Sequence, residues 1–233
     1  MEALCGIGFD LDHTLAIDNQ LERVALLRLL ELVTENGGHV LGTLAQESDN
    51  AERLLALQRG GAFSIDEAVR RFVAERGVPP SELYVERFRA MALEMVEDFV
   101  VPLPGVKRTL EALREWRVAL AVLSNGWNPL QIRKAQRAGF FGPVLASADI
   151  GAQKPARSAF AALLSTLGTE AKETWYVGDD PLSDMLGAHD AGMAPIWFDW
   201  EKKVYPRELP PPAHTIHAFE ELLEILPKLE NVS

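Results

Sequence analysis

The chain holds a single cysteine, Cys5, so neither a disulfide framework nor a thiolate zinc cluster can form within it. Positive charge is scarce: 23 Lys and Arg stand against 34 Asp and Glu, a formal net charge of −11. Nucleic-acid backbones and anionic membranes need clustered cations, so the balance argues against both, and neither is expected as a partner. A small anionic substrate is compatible with this balance, because one pocket can differ in sign from the whole surface. No apolar run reaches the roughly 20 residues of a membrane span. The opening "MEALCGIGFD" has no basic region leading into a signal core. The expectation is a soluble cytoplasmic protein. Internal repeats and low-complexity tracts are also missing.

What is present is an alternation of short apolar runs and helical patterns. "LCGIGF" (4–9), "RVALAVL" (117–123), "GPVLAS" (142–147), "TWYVG" (174–178) and "APIWFDW" (194–200) read as strands, with a weaker "HTIHA" at 214–218. Most do not alternate in polarity, which suits strands covered on both faces. Helical spacing fills the intervals at 105–116, 128–138, 155–167 and 183–193. Strand alternating with helix implies an α/β fold with a doubly wound parallel sheet. Residues 18–99 break the pattern. Four helices are expected there, at 21–33, 47–58, 64–76 and 81–99, with Ser64 and Ser81 as N-terminal caps. The domain reading is a core of 1–17 and 100–233, with a smaller all-helical insert at 18–99.

Polar residues collect at the strand ends. Asp10 and Asp12 follow the first strand, Ser124 and Asn125 the second, and "GDDPLSD" (178–184) the strand at 174–178. In a parallel doubly wound sheet these ends share one edge, where ligands bind. Lys154 stands just before Pro155, a favoured first residue of a helix, which places its ammonium near that edge. Each piece alone has a plainer reading: capped turns for the aspartates and for Ser124, a surface position for the lysine. Their convergence from distant parts of the chain favours chemistry. Asp10, Asp12 and Asp179 gather negative charge that calls for a hard cation, and oxygen-only ligands suit Mg²⁺. With Lys154 and hydroxyl donors they make a site for phosphoryl transfer. One carboxylate attacks phosphorus while the other hands a proton to the leaving oxygen.

On these residues the sequence resembles the haloacid dehalogenase superfamily. "DLDHT" is similar to its first motif, "VLSNG" to its second, Lys154 to its third, and "GDDPLSD" with "GAHDAGM" to its fourth. The insert resembles the cap carried by many members. The resemblance implies that Asp10 is the nucleophile and a Mg²⁺ ligand. It implies that Asp12 is the general acid and then the base, with its backbone carbonyl on the metal. Ser124 and Lys154 would bind the phosphoryl group and Asp179 would ligate Mg²⁺. Thr14 and Asn125 join the phosphate-binding set, Thr14 also holding the loop through its hydroxyl. Asp184 either holds the metal's water shell or positions Lys154, and Asp180 could share either task. His13 stands where many relatives have a small residue such as Gly.

The function expected is a Mg²⁺-dependent phosphatase for a small phosphorylated metabolite. Sugar phosphates, nucleoside monophosphates and phosphoglycolate-like acids all fit, with Arg53, Arg59, Arg70, Arg71, Arg87 and Arg89 as possible contacts from the insert. A haloacid dehalogenase on the same fold would need no acid at Asp12. A phosphonate-cleaving relative would need a lysine in the insert, and residues 18–99 contain none. A phosphomutase would need further insert residues, and a non-catalytic binding protein would be expected to lose Asp10, Asp12 or Lys154. Trp175, Trp197 and Trp200 are expected in the sheet core, and Trp127 at the mouth of the crevice.

Overall fold

The apolar runs form strands because they are short, rich in branched and aromatic side chains, and covered on both faces. The structure, a computed structural model, describes residues 6–226. Its strands are β1 (Gly6–Phe9), β2 (Ala16–Ile17), β3 (Val101–Pro102), β4 (Ala119–Ser124), β5 (Val144–Ala146), β6 (Thr174–Gly178), β7 (Ala194–Phe198) and β8 (His214–Ile216). Six of them make one sheet in the order β5-β4-β1-β6-β7-β8, and every ladder in it is parallel. The expected strands are all found, and the fold is the α/β doubly wound one. Leu4 and Cys5, assigned to the first strand from sequence, lie outside the described residues. β1 sits between β4 and β6. The chain therefore winds outward from β1 to β5 and returns across it to β6, which makes the end of β1 the topological switch point.

The chain divides into two compact units, Met1–Ile17 with Val101–Ser233, and Asp18–Val100. β2 and β3, a short antiparallel pair that sequence patterning does not reveal, join the two chain segments of the first unit where the insert leaves and returns. The second unit holds α1 (Leu21–Glu35), α2 (Leu44–Arg59), α3 (Ile65–Ala74), α4 (Glu82–Glu94) and the single turn α5 (Val96–Phe99). α1 packs on α2 and α4, and α3 packs on the same two helices. Their buried faces meet through Leu26, Leu29, Leu54, Phe72 and Phe88.

Local signals explain the boundaries. Ser64 caps α3 by accepting the amide of Glu67 at 3.3 Å. Ser81 makes no such bond, so α4 starts without the expected side-chain cap. α2 begins three residues before the expected 47, because Thr43 and Gln46 form a reciprocal capping box. The helix read as 81–99 breaks at Met95 into α4 and α5.

Around the sheet lie α6 (Val106–Glu115), α7 (Leu130–Arg137), α8 (Ser147–Ile150), α9 (Arg157–Leu167), α10 (Gly187–Asp190) and α11 (Leu222–Ile225). α10 is preceded by a π-helical turn, Pro181–Leu186, that replaces the regular helix expected from 183. One side of the sheet packs Tyr176, Phe160 and Leu163 against Ala121 and Leu123. On the other, Phe219 meets Phe9 at 5.9 Å and Phe198 at 5.3 Å between ring centroids.

Five of the six arginines proposed as substrate contacts pair with acids of their own unit: Arg53 with Glu75, Arg59 with Glu52, Arg70 with Glu82, Arg71 with Glu67 and Arg89 with Asp66. A further arginine is more consequential for the helical unit. Arg76 is completely buried, pairs with buried Glu47, donates to the Phe72 carbonyl and lies over the Phe72 ring. The other oxygen of Glu47 accepts the amide of Leu41 at 2.6 Å, which ties the loop before α2 to the same pair. Losing one partner of such a pair strands a charge in the interior, whereas replacing both by apolar groups removes the burial cost as well. Arg76→Leu is therefore expected to lower stability by about 3–5 kcal/mol, and adding Glu47→Leu to restore most of it. Urea unfolding of the two single variants and the double variant measures the coupling; additive losses would contradict it.

Candidate active site

Three parallel strands end side by side and deliver the site. At the end of β1, the Asp10 amide continues the ladder by donating to the Val177 carbonyl at 2.8 Å. The chain then folds back in a tight loop in which the Leu11 carbonyl accepts the amides of Thr14, Leu15 and Ala16 at 3.3, 2.9 and 3.2 Å. His13 takes up the left-handed conformation the turn needs, with φ of 63°. Glycine meets that demand most easily and histidine tolerates it, so the residue serves the loop through its backbone. Its amide donates to Ala16 at 2.8 Å, and its carbonyl accepts the Trp200 indole N–H at 3.0 Å.

Asp10 and Asp12 have different partners. Oδ1 of Asp10 accepts from Lys154 Nζ at 2.5 Å. Asp12 accepts from Lys134 Nζ at 3.0 Å on Oδ1 and from Gln131 Nε2 at 3.2 Å on Oδ2. The side chain of Asp10 is 10% exposed and that of Asp12 33%.

Lys154 is the hub. Its buried ammonium also donates to Asp184 Oδ1 at 2.7 Å and to the Tyr176 hydroxyl at 3.1 Å. Its backbone is clamped by Asn125, whose Nδ2 donates to the Lys154 carbonyl at 3.1 Å and whose Oδ1 accepts the Lys154 amide at 2.8 Å. Asn125, expected to meet phosphate, thus has both ends of its amide on Lys154. α9 opens at Arg157 rather than at Pro155, because Ala156 occupies the N-cap position. Asp184 comes close because Gly178 has no side chain; a Cβ there would collide with its carboxylate. Asp180 is separate in role: its Oδ1 accepts the amides of Leu182 and Ser183 at 2.9 and 2.6 Å and caps the π-helical turn.

Ser124, at the end of β4, is buried, and its hydroxyl accepts from Gln131 Nε2 at 2.6 Å. Thr14 is also buried, and its hydroxyl has no hydrogen-bond partner among the described residues. The tryptophans divide. The indole of Trp197 donates to the Asp179 carbonyl at 2.9 Å, so Trp197 and Trp200 brace the two acidic loops. Trp127, placed from sequence at the crevice mouth, is buried. Sequence reading passed over Gln131, Lys134, Tyr176 and Lys203. A lysine and a glutamine three residues apart on the buried face of a helix, one turn beyond "SNG", were the available signal for the first two.

Carboxylate oxygens of Asp10, Asp179 and Asp184 lie within 4.8 Å of one another. Burial, together with the neighbouring Asp184 and Asp12, outweighs Lys154 and lifts Asp10 from 3.8 to about 7. Burial, then Asp10 and Asp184, lifts Asp179 from 3.8 to about 8, although Lys203 Nζ stands 3.9 Å from it. Burial opposes the charge on Lys154, but Asp10 and Asp184 overcome it and hold its pKa well above 10.5. Negative charge therefore exceeds what one buried lysine can balance. A set of hard oxygens in this state fits a divalent cation such as Mg²⁺. The side chain of Asp184 joins Asp10 and Asp179 in this cluster, while that of Asp12, whose backbone carbonyl was the expected ligand, is turned to α7.

A desolvated carboxylate beside a buried ammonium, at the switch point of a doubly wound sheet, is the setting of a catalytic centre. A family model described as "Haloacid dehalogenase-like hydrolase" matches residues 62–198, and the chain belongs to that family. It is 30% identical over 175 residues to the Escherichia coli (strain K12) pyrimidine 5'-nucleotidase YjjG, covering 71% of this chain and 75% of that one. It is 25% identical over 236 residues to the glyceraldehyde 3-phosphate phosphatase of Methanocaldococcus jannaschii, covering 97% and 98%. The crystal structure of a 2-haloacid dehalogenase from Pseudomonas syringae pv. Tomato DC3000 superposes with a TM-score of 0.75 at 28% identity, covering 98% of this chain and 99% of that one. No helix of the described residues is long and apolar enough to cross a membrane.

The raised carboxylates set a pH dependence. An acid whose folded pKa exceeds its unfolded value adds stability below the unfolded value, and that stability is lost as pH rises through the folded one. With Asp10 near 7 and Asp179 near 8, metal-free protein is expected to lose thermal stability between about pH 4 and pH 8. Mg²⁺ competes with protons for the same oxygens, so its stabilising effect is expected to be larger at pH 8 than at pH 5. Thermal unfolding with Mg²⁺ and with EDTA at both values checks this. An equal shift at the two values contradicts it.

Proposed function

We propose that the protein is a Mg²⁺-dependent phosphatase that hydrolyses a small phosphorylated metabolite through a phosphoryl ester on Asp10. The observation that carries this reading is the division of the two carboxylates: Asp10 lies on Lys154 in a nearly dry setting, and Asp12 is held apart by α7. Two acids in different settings can take different tasks. Asp10 attacks phosphorus. Asp12 gives its proton to the departing alkoxide, then takes a proton from the water that attacks the phosphoryl group, which frees Asp10 as a carboxylate. Lys154 and the Ser124 hydroxyl face the non-bridging phosphoryl oxygens. Bound by Asp10, Asp179 and Asp184, Mg²⁺ would supply neutralising charge for the incoming phosphate.

The named activities of the two curated relatives support the substrate class, since a 5'-nucleotide and glyceraldehyde 3-phosphate are both small phosphate monoesters. The dehalogenase similarity supports a second reading less well. A halide departs without a proton, which would leave Asp12 and its two donors without a task. The helical unit, inserted between Asp12 and the strand that carries Ser124, serves in this proposal as the cap that selects substrate and sheds bulk water. A cytoplasmic setting suits a chain with one cysteine and a strongly acidic composition.

Hydrolysis of p-nitrophenyl phosphate is expected to require Mg²⁺, to stop with EDTA, and to vanish in Asp10→Asn. Asp12→Asn is expected to lose about 10²–10⁴-fold. Activity that survives the chelator or Asp10→Asn overturns the mechanism. A panel of nucleoside monophosphates, triose phosphates and phosphoglycolate then ranks the substrates.

A further inference from the structure

We infer that Lys134 and Gln131 are positioning residues that aim the Asp12 carboxylate, coupling it to the phosphate-binding hydroxyl of Ser124. The inference rests on the phosphatase reading, in which Asp12 transfers the proton.

The geometry comes from one turn of α7. Gln131 and Lys134 stand three residues apart, share a face, and are each 2% exposed. Lys134 Nζ meets one oxygen of Asp12 at 3.0 Å, and Gln131 Nε2 meets the other at 3.2 Å. The carboxylate is thus gripped at both oxygens. The same Gln131 nitrogen lies 2.6 Å from Ser124 Oγ, so a single amide group spans the acid and the hydroxyl. Gly126 makes room for it: a Cβ there would fall 2.6 Å from Gln131 Nε2.

A buried lysine is costly in this interior unless it has a task that offsets the desolvation. Here the lysine comes from a helix more than a hundred residues along the chain from its partner, and it reaches the more exposed of the two aspartates rather than the dry cluster. Asp12 sits on a loop, and a loop carboxylate samples several rotamers unless it is anchored. Proton transfer to a departing oxygen needs the acid within hydrogen-bond reach, and an error of about 1 Å can lower the rate ~100-fold. Lys134 and Gln131 restrict Asp12 to one orientation without touching the phosphoryl group. They act through Asp12, which distinguishes them from Lys154.

A leaving-group comparison tests this. An alkyl phosphate expels a basic alkoxide that needs the proton, whereas 2,4-dinitrophenyl phosphate expels a stable phenolate that does not. Lys134→Met is expected to lower kcat/KM for the alkyl ester by about 10–100-fold and for the dinitrophenyl ester by less than about threefold. Lys134→Arg is expected to recover most of the loss. Gln131→Met should show the same contrast more weakly, and it stands in where circular dichroism shows Lys134→Met to be unfolded. Equal losses on both esters, or no loss on either, overturn the inference while the phosphatase reading stands. A wild-type enzyme inactive on both esters with Mg²⁺ overturns that reading and this one with it.

Discussion

The ammonium of Lys154 is the interaction on which the rest of the site depends. It contacts Asp10 and Asp184, while Asp179 lies within the same 4.8 Å cluster of oxygens. At that separation, in a setting with an effective dielectric constant near 20, each pair of carboxylates repels by roughly 3 kcal/mol. One lysine cannot neutralise three such charges, and burial together with that remainder raises Asp10 and Asp179. The cluster is consequently stable in two ways: with protons bound, or with a further cation. A site poised between those states is suited to the divalent ion and the anionic substrate proposed for it, since each would reduce the cost of the other.

The fold supplies the precision that this chemistry needs. Asp10, Ser124 and Asp179 all sit at or just beyond the ends of adjacent parallel strands, where ladder hydrogen bonds fix the backbone on both sides of β1. The loops that must bend are braced from elsewhere: Trp200 holds the His13 carbonyl, Trp197 holds that of Asp179, and Asn125 clamps Lys154. Rigid strand ends with secured loops keep reacting groups in place without reorganisation during the reaction, which is how polar groups in a dry site stabilise developing charge.

Much of this was legible in the sequence. Buried parallel strands write themselves as unbroken apolar runs, so the six sheet strands could be placed to within a few residues. The acidic groups at strand ends were equally visible, because an aspartate after such a run stands out. Other features carried no local mark. The pair β2 and β3 is only two residues long on each side and depends on contact across the whole insert. Trp197 is buried in the core as its hydrophobicity suggests and Trp200 is half-buried, but only the structure shows both indole N–H groups turned to loop carbonyls. Asp184 was read as holding the metal's water shell or positioning Lys154; its contact with Lys154 fits the second, while nothing local reveals that Gly178 lets its carboxylate join Asp10 and Asp179. Arg76 and Lys134 were hidden for a related reason: a cation on a helix face reads as solvated until the fold supplies the buried carboxylate opposite it.

The separation of Asp10 from Asp12 follows from the same physics. Two carboxylates one residue apart and facing a single cation would compete for it and for one proton, and neither could hold a distinct role. Each has its own lysine instead, one from the loop before α9 and one from α7. Asp10 is desolvated and lies close to the oxygens of Asp179 and Asp184, which suits the nucleophile's task proposed for it. Asp12 remains a third exposed, which suits the proton exchange proposed for it. The two acids thus stand in different electrostatic environments, which is what lets the proposed mechanism assign them different tasks.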